Sequence, residues 1–175
     1  MMGRLGELLR DSNASAAAEM ALVLPLLLVI MMGSVEGGNY FLAEHAVIKQ
    51  VRDGARYASR IPIEANYSCT PPQATNDAET EIRNITRTGT IDGSGQLRRP
   101  YSDEEVTCGG LAQTVVVSVR CADKDTYPGM WRAMGTDIPI VKVESAVKYN
   151  PVLSGIALSG TLCIRAESEI PVIGL

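Results

Sequence analysis

From Met20 to Gly33 no residue carries a charge, and Pro25, Gly33 and Ser34 alone interrupt the apolar run before Glu36. With the alanines that precede Glu19, positions 16–35 supply roughly the 20 residues that a transmembrane helix requires. The strictly uncharged core is shorter, nearer the apolar region of a secretory signal peptide. Both readings are open at this point, and both carry the rest of the chain across a membrane. Beyond Gly37 and Gly38 the pattern changes. Tyr40, Val47, Val51, Ala55 and Ala58 follow helical spacing, with Glu44, Lys49, Arg52, Asp53, Arg56 and Arg60 on other faces. Together these runs predict one helix over 15–60, roughly 70 Å long at a rise of about 1.5 Å per residue. Its first half suits lipid and its second half suits packing on a domain. Gly37–Gly38 is the expected bend or flexible point, and the Ile61-Pro62 step is the expected stop.

The remainder divides by period. Positions 62–72 read as loop, with Cys69 beside the Pro71-Pro72 break. A second, polar helix is expected over 74–87, capped by Thr75, with Asp77, Glu79 and Glu81 near the positive end of its dipole. Positions 89–100 form a glycine-rich loop. The period then becomes two. The run 114–121 is dominated by Val115, Val116, Val117 and Val119, 138–149 alternates, and in 160–170 Leu162, Ile164 and Ala166 alternate with Cys163, Arg165 and Glu167. A short strand at 106–108, a long connection over 123–136 and a helical turn within 152–158 complete the expectation. Strands that follow helices without βαβ alternation indicate an α+β fold with an antiparallel sheet. No internal repeat is visible.

Composition narrows the setting. The 175 residues suit one modest domain plus an N-terminal segment. A net charge of −4, with scattered arginines, gives no electrostatic footprint for nucleic acid. Cys69, Cys108, Cys121 and Cys163 all follow the apolar run; an even number without CxxC spacing or a neighbouring histidine reads as two disulfides in an oxidising compartment. Three pairings are possible. Cys69–Cys108 with Cys121–Cys163 is the preferred one, the first closing the loop-rich middle and the second tying two strands. Charge alone leaves orientation blurred, since Arg4 and Arg10 sit with Glu7 and Asp11, and Lys49, Arg52, Arg56 and Arg60 lie beyond the span. The cysteines decide it, with the leader in the cytoplasm and the domain outside. Glu19, at the entrance to the apolar run, calls for an explanation of its own. A charge carried to the bilayer centre costs at least roughly 2.5–3.5 kcal/mol, so a carboxylate in a span marks a functional site by default.

Two separated motifs agree in order and spacing. The alanine-rich approach to Glu19 leads into Ala21-Leu22-Val23-Leu24-Pro25-Leu26-Leu27-Leu28, then Gly33 and Glu36. The second motif is Val51-Arg52-Asp53-Gly54-Ala55-Arg56-Tyr57-Ala58. Over about residues 12–60 this resembles the TadE-like family of the Tad (tight adherence) pilus system, which shares the layout of type IV pilins and pseudopilins. The resemblance implies a type IV pilin-like α+β fold, with a long N-terminal helix, transmembrane then amphipathic, laid on a small antiparallel sheet with two disulfides. It divides the chain into a leader at 1–14, the transmembrane half of the helix at 15–36, and the amphipathic helix with a periplasmic head at 37–175. A prepilin peptidase would cut at Ala14–Ser15, leaving Glu19 as the fifth mature residue. Glu19 would then pair with the new α-amine of a neighbouring subunit inside lipid, where an unpaired charge is costly. Pro25 would be the helix soft point. In two places the chain departs from the pattern, with Ala14 where a glycine is usual before the cut and Met20 where major Tad pilins carry an aromatic residue.

The function so implied is that of a pseudopilin, or minor pilin, which helps to initiate or assemble a Tad-type (type IVb) pilus for surface adhesion. Its setting would be the bacterial inner membrane, single-pass, with the C-terminal domain periplasmic or carried into an extracellular pilus. Its partners would be the prepilin peptidase, other Tad minor pilins, the major pilin and the pilus assembly platform. An alternative is an unrelated secreted or single-pass domain whose first apolar run is a signal peptide or anchor. A third is an envelope module that binds a ligand through Tyr127 and Trp131. Gly33 and Gly37 have the small-xxx-small spacing of close-packed membrane helices, although ordinary small residues read the same way. Asp53, Gly54 and their arginine neighbours either anchor the domain to the helix, touch a partner or form a solvated face. Enzyme chemistry is not expected. His45 is the only histidine, and no Gly-x-Ser-x-Gly elbow, HExxH or P-loop occurs. Asp92 lies in Thr90-Ile91-Asp92-Gly93-Ser94-Gly95, which is turn chemistry before it is a calcium loop, because the other acids are missing. Asp103, Glu104 and Glu105 read as a solvated run. No cofactor or metal is called for.

Overall fold

The computed structural model describes residues 12–102, 108, 114–125, 137–153 and 162–174, the first four of them as backbone only. The leader positions 1–11, the acidic run 103–105, the expected strand residues 106–107, Tyr127, Trp131 and most of the expected turn at 152–158 lie outside the described residues.

Helix α1 runs over Ser12–Ala58, three residues earlier at its start than the sequence suggests and two residues earlier at its end. It stays helical through Pro25 and through Gly37–Gly38. Pro25 has no N–H to offer the carbonyl of Ala21, so one rung of the hydrogen-bond ladder is missing inside the apolar run. Two compact units are formed, one from residues 1–39 with Pro151–Leu158, the other from Tyr40–Asn150 with Ser159–Leu175.

In the first unit the apolar side chains of α1 face outward. Leu22 is 79% exposed and Leu26 61%. The helix is long and apolar enough to cross a membrane. One side chain behaves differently: Glu36 is only 8% exposed, and its Oε2 accepts the backbone N–H of Leu153 at 3.0 Å.

The second unit is the α+β head. The C-terminal part of α1 contributes Val47, Val51, Ala55 and Ala58, all buried, to its core. After α1 the chain makes a short helical turn, α2 (Ile63–Asn66), and a two-stranded hairpin, β1 (Tyr67–Cys69) with β2 (Pro72–Ala74). The loop expected over 62–72 is therefore structured. The residues that suggested loop, Pro71 and Pro72, sit in the two-residue turn and at the first position of β2, where a missing N–H is tolerated. Helix α3 (Asn76–Thr88) matches the expectation closely. The Thr75 side chain caps it by accepting the N–H of Ala78, and Gly89 ends it in the left-handed region at φ 86°. A Cβ at Gly89 would also meet the Arg98 guanidinium, but that end of a long side chain can shift, so it is the left-handed backbone that calls for glycine.

The strands β3 (Val115–Ala122), β4 (Ile138–Lys148) and β5 (Cys163–Pro171) form one antiparallel sheet in that order. Alternation sends Val115, Val117, Val141, Val143, Val147 and Ile164 into the core. On the opposite face Lys142 Nζ lies 2.6 Å from Glu144 Oε1 and 2.9 Å from Glu167 Oε2. Ser145, buried among the valines, is satisfied by Tyr101 at 2.8 Å and by the carbonyl of Thr114 at 2.9 Å.

The disulfides are Cys69–Cys121 and Cys108–Cys163, with Cα separations of 5.8 and 5.9 Å. This corrects the preferred pairing. Register rules out Cys121–Cys163: Cys121 lies opposite Pro139 and Cys163 opposite Lys148, at the two ends of β4. Nine residues of strand separate those rungs by about 30 Å, far beyond the ~7 Å limit for bridged Cα atoms.

Candidate functional site: the junction face of helix α1

The second sequence motif is a docking face within the head. Gly54 is buried, and a Cβ there would overlap Thr86 Oγ1 and lie 3.4 Å from the carbonyl oxygen of Ile82. Helix α3 therefore lays its Thr86 side chain against bare backbone of α1. Thr86 keeps its hydroxyl satisfied by donating to Ile82 O at 2.8 Å, so the contact leaves no orphaned group. Ala55 and Ala58, one and four positions on, are buried with the same small footprint.

Polar groups border that contact. Asp53 Oδ2 accepts from Arg98 Nη1 at 3.0 Å, tying α1 to the loop after α3. The Tyr57 hydroxyl donates to Glu81 Oε2 at 2.6 Å, joining α1 to α3. Burial, and then that carboxylate, push the Tyr57 hydroxyl up to about 12. The Tyr67 hydroxyl donates to Ala58 O at 2.8 Å, closing the end of α1, and burial raises its pKa as well. Gln50, 6% exposed, donates to Arg99 O at 2.8 Å. Arg52 and Arg56 point to solvent. The motif thus divides, with Asp53, Gly54, Ala55, Tyr57 and Ala58 serving the head and the two arginines free of that task.

The other residues singled out from the sequence sit apart. Ala14 and Ser15 lie in the first turns of α1, and Glu19 and Pro25 lie further along it, with Glu19 exposed. His45 is exposed. Asp92 makes turn contacts, its Oδ1 accepting the N–H and hydroxyl of Ser94 at 3.2 and 2.9 Å, which hold its carboxyl below the usual carboxylate range. Among the described residues no cluster of three or more His, Cys, Asp or Glu could hold a metal ion. Two features escaped the sequence reading. Glu36 stood out only as part of a pattern, and its bond to Leu153 spans 117 residues of sequence, which no local signal reveals. The Tyr57–Glu81 bond had a partial signal in the amphipathic phase of the two helices.

An apolar helix long enough to cross a membrane, which runs on into the core of a disulfide-linked α+β head, defines the class of this protein. Residues 14–56 match the family model for TadE-like protein, a segment that includes both Glu19 and Gly54. No curated protein and no solved structure matches the chain. The match covers about a quarter of the chain, all of it within helix α1.

Proposed function

We propose that this protein is a membrane-anchored minor pilin, or pseudopilin, that helps to initiate or assemble a Tad-type pilus for surface adhesion. The observation that carries the reading is the TadE-like segment itself: one helix holds an apolar span headed by Glu19, and then the Gly54 face that builds the head. Processing by a prepilin peptidase at Ala14–Ser15 would free an α-amine four residues from Glu19. Two such subunits packed by their apolar helices can neutralise amine and carboxylate against each other, which favours one register over its neighbours. Pro25 weakens the ladder between Ala21 and Pro25 and gives the span a place to yield during packing. The head faces the periplasm, where its two disulfides persist, and acts by contact rather than by catalysis.

The test is expression alongside the Tad machinery, with the mature N-terminus sequenced and pili counted for the native chain and for Glu19→Ala. A mature start at Ser15, with few or no pili from the variant, is expected. A start after about Ser34 or a fully piliated Glu19→Ala strain would overturn the proposal.

A further inference from the structure

One side of α1 stays apolar after the other side has joined the head. Phe41 is 60% exposed and Leu42 72%, more than any other large apolar side chain among the described residues of the head unit. Tyr40 and Ala43, on the opposite side of the same turn, pack on the core, and the Tyr40 ring meets Tyr149 edge-on at 5.3 Å. Phe41 and Leu42 are left out of that packing. The exposed stripe Leu27, Met31, Val35, Gly38 and Leu42 runs at helical spacing without a charge, and α1 is unbroken along it. By the same spacing Glu36 projects from another side.

The stripe then becomes basic. His45, Lys49, Arg52 and Arg56 are exposed and, at about 100° per residue, fall within an arc of about 60°. That arc faces away from Val47, Val51 and Ala55, which are buried in the head. Among the described residues none of these three cations forms an ion pair, whereas Arg83, Arg98, Arg120 and Lys142 each meet a carboxylate. Lys49 and Arg52 have their Cα atoms about 10 and 15 Å beyond that of Leu42 along the helix. Helical side chains lean towards the N-terminus and cover the preceding turn, about 5.4 Å back. Their charges therefore stand roughly 5 and 10 Å past Leu42. A bilayer's interfacial layer is about 5–8 Å thick on each side, so Lys49 falls within it, Arg52 at its outer edge, and Arg56 beyond it.

We propose that this face of α1 is a contact with anionic phospholipid in the outer leaflet of the inner membrane. Phe41 and Leu42 lie at the boundary of the acyl chains, and Lys49 and Arg52 meet the phosphates above them. The inference rests on the reading of α1 as a membrane span with the head outside. The lipid contact then extends about 9 Å past Glu36 on one side only, which fixes the depth of the helix and its rotation about its own axis.

Full-length protein in vesicles of phosphatidylcholine with a minority of phosphatidylglycerol tests this. The quencher is lipid brominated either high or deep on the acyl chain. In a Trp131→Phe background, Leu42→Trp should be quenched more strongly by the shallow bromine, as for groups at the headgroup–acyl boundary. Val29→Trp, within the apolar run, should show the reverse order, and Ile91→Trp, in the head, should not be quenched. With bromine carried by only one lipid at equal fraction, Leu42→Trp should respond more to phosphatidylglycerol than to phosphatidylcholine. Adding Lys49→Gln with Arg52→Gln should lower that preference by roughly fivefold per charge. Arg56→Gln with Arg60→Gln should leave it in place. Quenching at position 29 without quenching at 42 overturns the contact and leaves the span intact. Quenching at neither position removes the span, and the contact with it. Equal response to the two lipids, or an equal loss from the Arg56 and Arg60 pair, overturns the part given to Lys49 and Arg52. Shielding at 42 that appears only at high protein density, without lipid quenching, assigns the face to a second copy and overturns the proposal. In the unsubstituted chain a phospholipid with a headgroup-proximal diazirine should label positions 41–45. Labelling confined to positions before Glu36 would overturn the contact without any substitution.

Discussion

At Gly54 helix α1 offers bare backbone to Thr86 of α3, and the consequence of adding one methyl can be stated. Gly54→Ala must displace Thr86 or move α3, because the new Cβ would overlap Thr86 Oγ1. Overpacking of this kind costs about 1–3 kcal/mol. Gly37 is the control, on the same helix but with nothing within 4 Å of an added Cβ. There alanine removes only glycine's excess backbone freedom and stabilises by roughly 0.5–1 kcal/mol. Urea unfolding of the detergent-solubilised chain, followed by tyrosine signals of the head, should therefore move in opposite directions for the two variants, or stay unmoved for Gly37→Ala if that part of the helix unfolds separately. A Gly54→Ala variant as stable as the native chain would show that the close approach contributes nothing. The motif around Gly54 was visible as a string of residues, but its reason was not. Whether a glycine serves a bend, a partner or a close contact depends on what stands opposite, and Thr86 is more than thirty residues away.

Among the elements, those with a clean period were legible and those punctuated by proline were not. Helix α3 declares itself by a capping threonine, acids in its first turn and a closing glycine, and all three features do their expected work. The three long strands follow from β-branched alternation. The β1–β2 hairpin did not, because three-residue strands are too short to show a period, and Pro71 and Pro72 look like loop until the register places them. The outer face of the sheet yields an expectation of its own. Hydrogen bonds from Glu144 and then Glu167 raise the pKa of Lys142, and Lys142 lowers that of Glu167. Glu167, with its pKa depressed on folding, adds stability above its ordinary value of 4.5 and loses it as pH falls through the lowered native value. Lys142, with its pKa raised, adds stability below 10.5 and loses it as pH rises through the native value. The urea midpoint should hence be flat between these limits and fall on both sides. Lys142→Met should lower the plateau and soften both limbs, and added salt should shrink the difference, since the cluster is solvent-accessible. Limbs identical to the native profile would mean that the cluster is decorative.

Across the whole molecule the disulfides interlock, and their arrangement can be tested without disturbing any contact. Cys69–Cys121 and Cys108–Cys163 close segments of similar length, with separations of 52 and 55 residues, and each begins before the other has closed. Loop-closure entropy assigns roughly 4 kcal/mol to a segment of that size, mainly through the unfolded chain. Because the two segments overlap, the pair contributes less than the sum of its members. Both bridges lie within the head, one fastening the β1–β2 hairpin to the end of β3 and the other fixing the start of β5. Reduction should thus loosen the head while leaving the apolar span of α1 helical, seen as a fall in the urea midpoint of the tyrosine signal at nearly unchanged helical circular dichroism. The pairing itself is read by tryptic digestion without reductant. Cleavage after lysine and arginine places Cys69 on 61–83, Cys108 on 99–120, Cys121 on 121–124 and Cys163 on 149–165. Linked masses should join 61–83 to 121–124 and 99–120 to 149–165. A mass joining 61–83 to 99–120 would restore the pairing that sequence favours, and with it a different sheet order, because β4 lies between β3 and β5 and keeps Cys121 and Cys163 two strand spacings, about 9–10 Å, apart in any register.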